Sequence, residues 1–136
     1  MIQKLNNVMV QETEALRTLL IELEDQHRCI ASNDIFGLEA CVKKIKEANK
    51  IIASMEVQRR QLTENRDMKA ITQEFHDNEF ENNYYQINQL LKEIVLQKDT
   101  NELLIKQGLS FTNRILNVLN PVRETSTYNA YGKVKK

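Results

Sequence analysis

The chain is short of glycine and nearly without proline: its 136 residues include only Gly37, Gly108, Gly132 and Pro121. Average usage would give roughly nine glycines and seven prolines at this length. A β-sandwich or barrel turns about every 8–12 residues and draws its turns from Gly, Pro, Asn and Asp. A dinucleotide-binding fold or a phosphate loop needs clustered glycines so that backbone can approach phosphate. Three scattered glycines build neither, which leaves few, long elements and therefore helices. Excess charge is also lacking, since 19 basic side chains balance 19 acidic ones. A nucleic-acid binder carries a basic surplus on one face, so no nucleic-acid partner is expected. No apolar run approaches the ~20 residues that span a bilayer, and Met1 to Asn7 has neither the basic stretch nor the apolar core of a signal peptide. No membrane insertion is expected, and the sequence reads as soluble and cytoplasmic. Two cysteines, Cys29 and Cys41, do not make a disulfide framework.

What is present is helical periodicity. The length suits one domain, and 41% hydrophobic residues suffice for a core. Ile2, Leu5, Met9, Glu12, Leu16, Leu19, Leu23, Gln26 and Ile30 alternate steps of three and four, with Val8, Ala15 and Leu20 widening the stripe. They predict a helix over about 2-31, some 45 Å long. Ser32, Asn33 and Asp34 are capping residues. A second seam of Leu38, Cys41, Ile45, Ala48, Ile52, Met55, Arg59 and Leu62 predicts a helix over 34-65, folded back antiparallel across a short turn. Gly37 falls in its first turn, where flexibility costs least. A short helix over 68-76 is consistent with Met68, Ile71, Thr72 and Phe75, and Asp77-Asn78 is the next cap. The last helix, 79-120, reads Phe80, Tyr84, Ile87, Leu91, Ile94, Lys98, Asn101, Ile105, Gly108. After Gln97 its stripe shifts to Leu104, Phe111, Ile115, Val118 and Leu119, a stutter that predicts a bend near Lys98 to Asn101. Pro121 closes it. The expected architecture is all-α: an elongated antiparallel helical hairpin or three-helix coiled-coil-like bundle over 1-120, then a disordered tail over 121-136.

Chemical constellations are few. Glu24-x-x-His27 has the spacing of half a di-iron carboxylate site, but the other histidine, His76, follows Gln73 where a glutamate is required. His27 therefore reads as a helix-surface residue, and neither metal nor cofactor is expected. Cys29 and Cys41 fall near the same end of the first hairpin and can approach each other. Neither has a histidine partner, so they read as structural thiols, with a redox role the alternative. No nucleophile–base order and no carboxylate pair in a cleft is visible, and an enzyme is not expected. Arg59 occupies a seam position. Either its stem covers apolar surface while the guanidinium reaches water, or it pairs with Glu12, nearly opposite in an antiparallel hairpin.

The C-terminal half of the last helix is apolar around nearly its whole circumference: Leu104, Ile105, Leu109, Phe111, Ile115, Leu116, Val118 and Leu119. Packing on one side would leave part of it exposed, as at a groove for an amphipathic partner helix. The alternative is core of a bundle or of a homodimer.

These features resemble the FlgN family of flagellar type III export chaperones. The resemblance rests on Arg59-Arg60, on Asn101-Glu102-Leu103-Leu104-Ile105 leading into Phe111-Thr112-Asn113-Arg114-Ile115-Leu116, and on the tail Tyr128-Asn129-Ala130-Tyr131-Gly132. It implies a non-catalytic cytoplasmic chaperone that binds C-terminal helical segments of hook-associated proteins, keeps them unassembled and delivers them to the export gate. Cargo would lie on Leu104, Ile105, Gly108, Phe111, Ile115, Leu116, Val118 and Leu119; Tyr128, Tyr131 and Gly132 would dock on the gate. A coiled-coil adaptor, or a chaperone for flagellin or the filament cap, are the other readings of the same pattern.

Overall fold

The computed structural model describes residues 1–119, and the expected tail lies outside them. Four helices account for nearly all of these residues: α1 (Ile2–Ser32), α2 (Ile35–Thr63), α3 (Met68–Phe75) and α4 (Asn78–Leu119). No strand occurs among the described residues, so the fold is all-α, as the glycine and proline shortage requires. The chain divides into a unit Met1–Asn101 and a second beginning at Glu102.

Within the first unit, α1 is central. Its seam residues Leu5, Met9, Leu16, Leu19 and Leu23 are buried, together with Ala48 of α2, Ile71 of α3 and Phe80, Ile87, Leu90 and Ile94 of α4. Each large side chain buried in this way contributes about 1.5–3 kcal/mol. The helix α2 gives mainly half-buried residues, Ile45, Ile52 and Leu62, around Ala48. It runs antiparallel to α1, since Arg59 Nε donates to Glu12 Oε1 at 3.2 Å. The first part of α4 runs parallel to α1: Asn83 Nδ2 donates to Asn6 Oδ1 at 3.2 Å, and Asn101 Nδ2 donates to the Leu23 carbonyl at 2.8 Å. The short α3 makes the return between them. It buries Ile71 completely, and Asp77 just beyond it accepts from Asn6 Nδ2 at 3.1 Å.

Helix ends are made almost without glycine. Asp34 Oδ1 accepts from Gly37 N at 3.0 Å, Asp67 Oδ1 from Lys69 N at 3.3 Å, and Asp77 Oδ2 from Phe80 N at 2.9 Å, so an aspartate caps each of α2, α3 and α4. The C-terminal stops fall to Asn33, Glu64, Asn65 and His76, all in the left-handed region with φ from 49° to 63°. That conformation ordinarily favours glycine, and here it is imposed on side-chain-bearing residues. Gly37 has a more specific task than the one read from its place in the first turn. A Cβ there would lie 2.4 Å from Asp34 Oδ2 and 2.6 Å from Cys29 Sγ, so the cap and the α1–α2 approach both need its bare backbone.

One expectation is corrected. The interior face of α4 is Phe80, Asn83, Ile87, Leu90, Ile94 and Asn101, so Phe80, Ile87, Ile94 and Asn101 of the expected stripe are interior. Asn83 and Leu90 stand where Tyr84 and Leu91 were expected, Tyr84 is only part-buried against the core, and Lys98 is exposed. Leu91 is exposed, whereas Asn101 is 1% exposed. Continuing from Asn101 by the same steps of three and four reaches Leu104, Gly108, Phe111, Ile115 and Val118, so the spacing contains no stutter. The helix α4 is helical throughout Lys98 to Asn101. The apparent phase shift arose because the expected stripe stepped by four from Phe80 to Tyr84, past the polar Asn83, where the interior steps by three.

Candidate functional site

The second unit's described part, Glu102 to Leu119, is a single stretch of α4. All eight residues singled out as a cargo surface lie on it. Leu104, Gly108, Phe111, Ile115 and Val118 follow one another at steps of three and four, and so form one stripe. Ile105, Leu116 and Leu119 fall on a second stripe roughly 100° around the helix, which Leu109 completes. Of the eight, Leu104 is half-buried and the others are exposed, Phe111 at 58% and Val118 at 78%. A Cβ on Gly108 would meet nothing within 4 Å. Leu103, flanking Leu104, is also exposed and was left out of the surface read from sequence. Its signal was adjacency alone, since it belongs to neither stripe. Few charges interrupt this surface: Glu102, Lys106 and Arg114. Tyr128, Tyr131 and Gly132, expected to dock on the gate, lie outside the described residues.

Elsewhere, two titratable side chains that the sequence singled out, Glu12 and His27, are engaged by neighbours. Glu12 is buried, and burial raises its carboxyl pKa by more than the adjacent Arg59 lowers it, with Glu56 adding a further upward push. Arg59 takes the second of its two readings: it pairs with Glu12 at 3.2 Å and with Glu56 at 3.7 Å. Gln97 Nε2 lies 2.9 Å from His27 Nδ1 and donates to Asn101 Oδ1 at 2.9 Å. The histidine of Glu24-x-x-His27 is thus engaged by an amide. Among the described residues no group of three or more His, Cys, Asp or Glu could hold a metal ion, and no helix is long and apolar enough to cross a membrane.

A small all-α chain, with an amide-keyed helical unit and a long helix end apolar on two stripes, is the class these features define. The profile of the FlgN protein family matches residues 1–136, and the chain belongs to that family. The family is one of flagellar export chaperones and not of enzymes. Neither a search of curated proteins nor one of solved structures returns a match.

Proposed function

We propose that this chaperone acts in the cytoplasm on hook-associated proteins, holding their C-terminal helical segments unassembled and passing them to the export gate. The observation that carries the reading is the apolar pair of stripes on Glu102 to Leu119, exposed at seven of eight proposed cargo positions. Exposed apolar surface of this extent on a helix marks a binding site for another amphipathic helix. Leu104, Ile105, Gly108, Phe111, Ile115, Leu116, Val118 and Leu119 carry the cargo. Residues 1-120 serve as the helical body and 121-136 as the docking tail, with Tyr128 the first choice for the gate contact and Tyr131 and Gly132 beside it.

The test uses two variants of the full chain. Phe111→Asp combined with Ile115→Asp abolishes capture of a hook-associated C-terminal segment and leaves gate binding intact. Truncation after Asn120 does the opposite. Equal loss of cargo from both would overturn the division of labour. A stable homodimer whose cargo-free and cargo-mixed samples scatter light identically would favour a self-associating coiled coil, and preferential capture of flagellin or cap protein would reassign the cargo.

A further inference from the structure

The turn end of the α1–α2 hairpin holds chemistry that export function does not use. Cys29, in the last turns of α1, and Cys41, in the second turn of α2, are both free. Cys29 Sγ donates to Asp34 Oδ2 at 3.9 Å, and Cys41 lies close enough to Cys29 to feel it electrostatically. The bare backbone of Gly37 makes this approach feasible, because a Cβ there would stand 2.6 Å from Cys29 Sγ. Both thiols line one surface cavity of about 380 Å3, whose walls carry Arg28 and Lys44 but also Asp25, paired with Arg28, and Asp34. Glu22 lines the same cavity, and its Oε1 is buried with no hydrogen-bond partner.

We propose that Cys29 and Cys41 are a reversible dithiol–disulfide site that reacts with low-molecular-weight disulfides, with Glu22 as the positioning base for its second step. The more exposed Cys29 captures and Cys41 resolves. Cys29, having lost its proton to solvent, attacks as thiolate one sulfur of a disulfide RSSR, forming a mixed disulfide and expelling RS⁻, which takes a proton from solvent and leaves as RSH. Cys41 then loses its proton to Glu22 Oε1, and its sulfur attacks Cys29 Sγ. The Cys29–SR bond breaks, the intramolecular disulfide forms, and the second RSH departs with the proton. Two thiols are oxidised and one disulfide is reduced to two thiols. Burial raises the Cys41 pKa, as do neighbouring Cys29 and Glu22, which suits Cys41 to resolving rather than capturing. The product ties the end of α1 to the start of α2.

The probe is 2-hydroxyethyl disulfide added to the full chain, followed by acid quench, alkylation and intact-mass analysis. The wild type should lose two hydrogens, resist alkylation and stay monomeric on a non-reducing gel, and dithiothreitol should reverse this. Cys41→Ser should stop at the mixed disulfide on Cys29. Glu22→Gln should form that adduct at the wild-type rate yet resolve it severalfold more slowly, a split that loss of packing would not produce. Circular dichroism establishes that each variant is folded. A wild type that keeps two alkylatable thiols, halts at the mixed disulfide or yields only intermolecular dimers overturns the proposal. Resolution at the wild-type rate in Glu22→Gln removes Glu22 from it. None of these outcomes depends on cargo.

Discussion

Replacing Arg59 with methionine isolates the largely buried charge pair, Glu12–Arg59, that ties α1 to α2. Methionine keeps much of the apolar stem and removes the guanidinium, leaving the Glu12 carboxyl, 6% exposed, without its partner. Removing one member of a fully buried pair costs ~3–5 kcal/mol. Arg59 is 19% exposed and also leans on Glu56, so about 2 kcal/mol is expected at neutral pH, discounted for partial solvation. The pH dependence distinguishes this from lost packing. The Glu12 pKa is already above its ordinary value in the folded protein, and loss of Arg59 raises it further. Between the unfolded and folded values the folded state holds a proton that the unfolded state has released, so stability falls as pH rises, by ~1.4 kcal/mol per pH unit. Below the ordinary carboxylate value both states are protonated and that loss is absent. Urea unfolding followed by circular dichroism should therefore show Arg59→Met strongly destabilised at neutral pH and much less so in mild acid. Glu12→Gln combined with Arg59→Met should recover most of the neutral-pH loss. An equal cost at both pH values, with no recovery in the double variant, would refute the charge argument and leave Arg59 as a packing stem.

Two further predictions concern the helical frame. Asn101→Ala strands the Gln97 and Gln26 amides and opens a void on α1; a loss of about 1–3 kcal/mol is expected, with hydrogen exchange rising first at 94–101. Glu64→Gly relieves a left-handed residue at the end of α2, where φ is 53°, and should stabilise by about 0.5–1 kcal/mol after allowing for glycine's unfolded freedom; an unchanged or lower melting temperature counts against it.

Much of the frame was legible in the residues, for identifiable reasons. The α1 seam was readable because most of its interior positions are apolar, Leu5, Val8, Met9, Ala15, Leu16, Leu19 and Leu23, and the one acid among them, Glu12, announced a partner that proved to be Arg59. The α2 cap was readable in Asp34 because aspartate is an efficient acceptor for first-turn amides. The α4 interior was placed correctly at Phe80, Ile87, Ile94 and Asn101 but one residue late at Tyr84 and Leu91, because an apolar count prefers Tyr84 to Asn83 and cannot choose between Leu90 and Leu91; Asn83 and Asn101 are interior while polar. Their burial is permitted by partners on α1, Asn6 and the Leu23 carbonyl, which no single-helix pattern reveals. Helix stops at Glu64 and His76 were equally hidden, since neither residue advertises a left-handed conformation as glycine does. The exposed stripes beyond Asn101 were legible as composition, and their alignment with the α4 interior spacing was recovered only once that spacing was known.

The amides of α4 also answer a question of uniqueness. A seam of aliphatic residues repeating every seven positions is degenerate: sliding one helix past its neighbour by a repeat lays Leu or Ile on much the same apolar ground. Asn83 at one end of the α1–α4 contact and Asn101 at the other break that degeneracy. In any slid alignment Asn83 would lose the Asn6 side chain and Asn101 the Gln26 side chain, at about 1–3 kcal/mol for each polar group left unmet. The two amides act as the teeth of a key, admitting a single seat where the aliphatic residues alone would accept several.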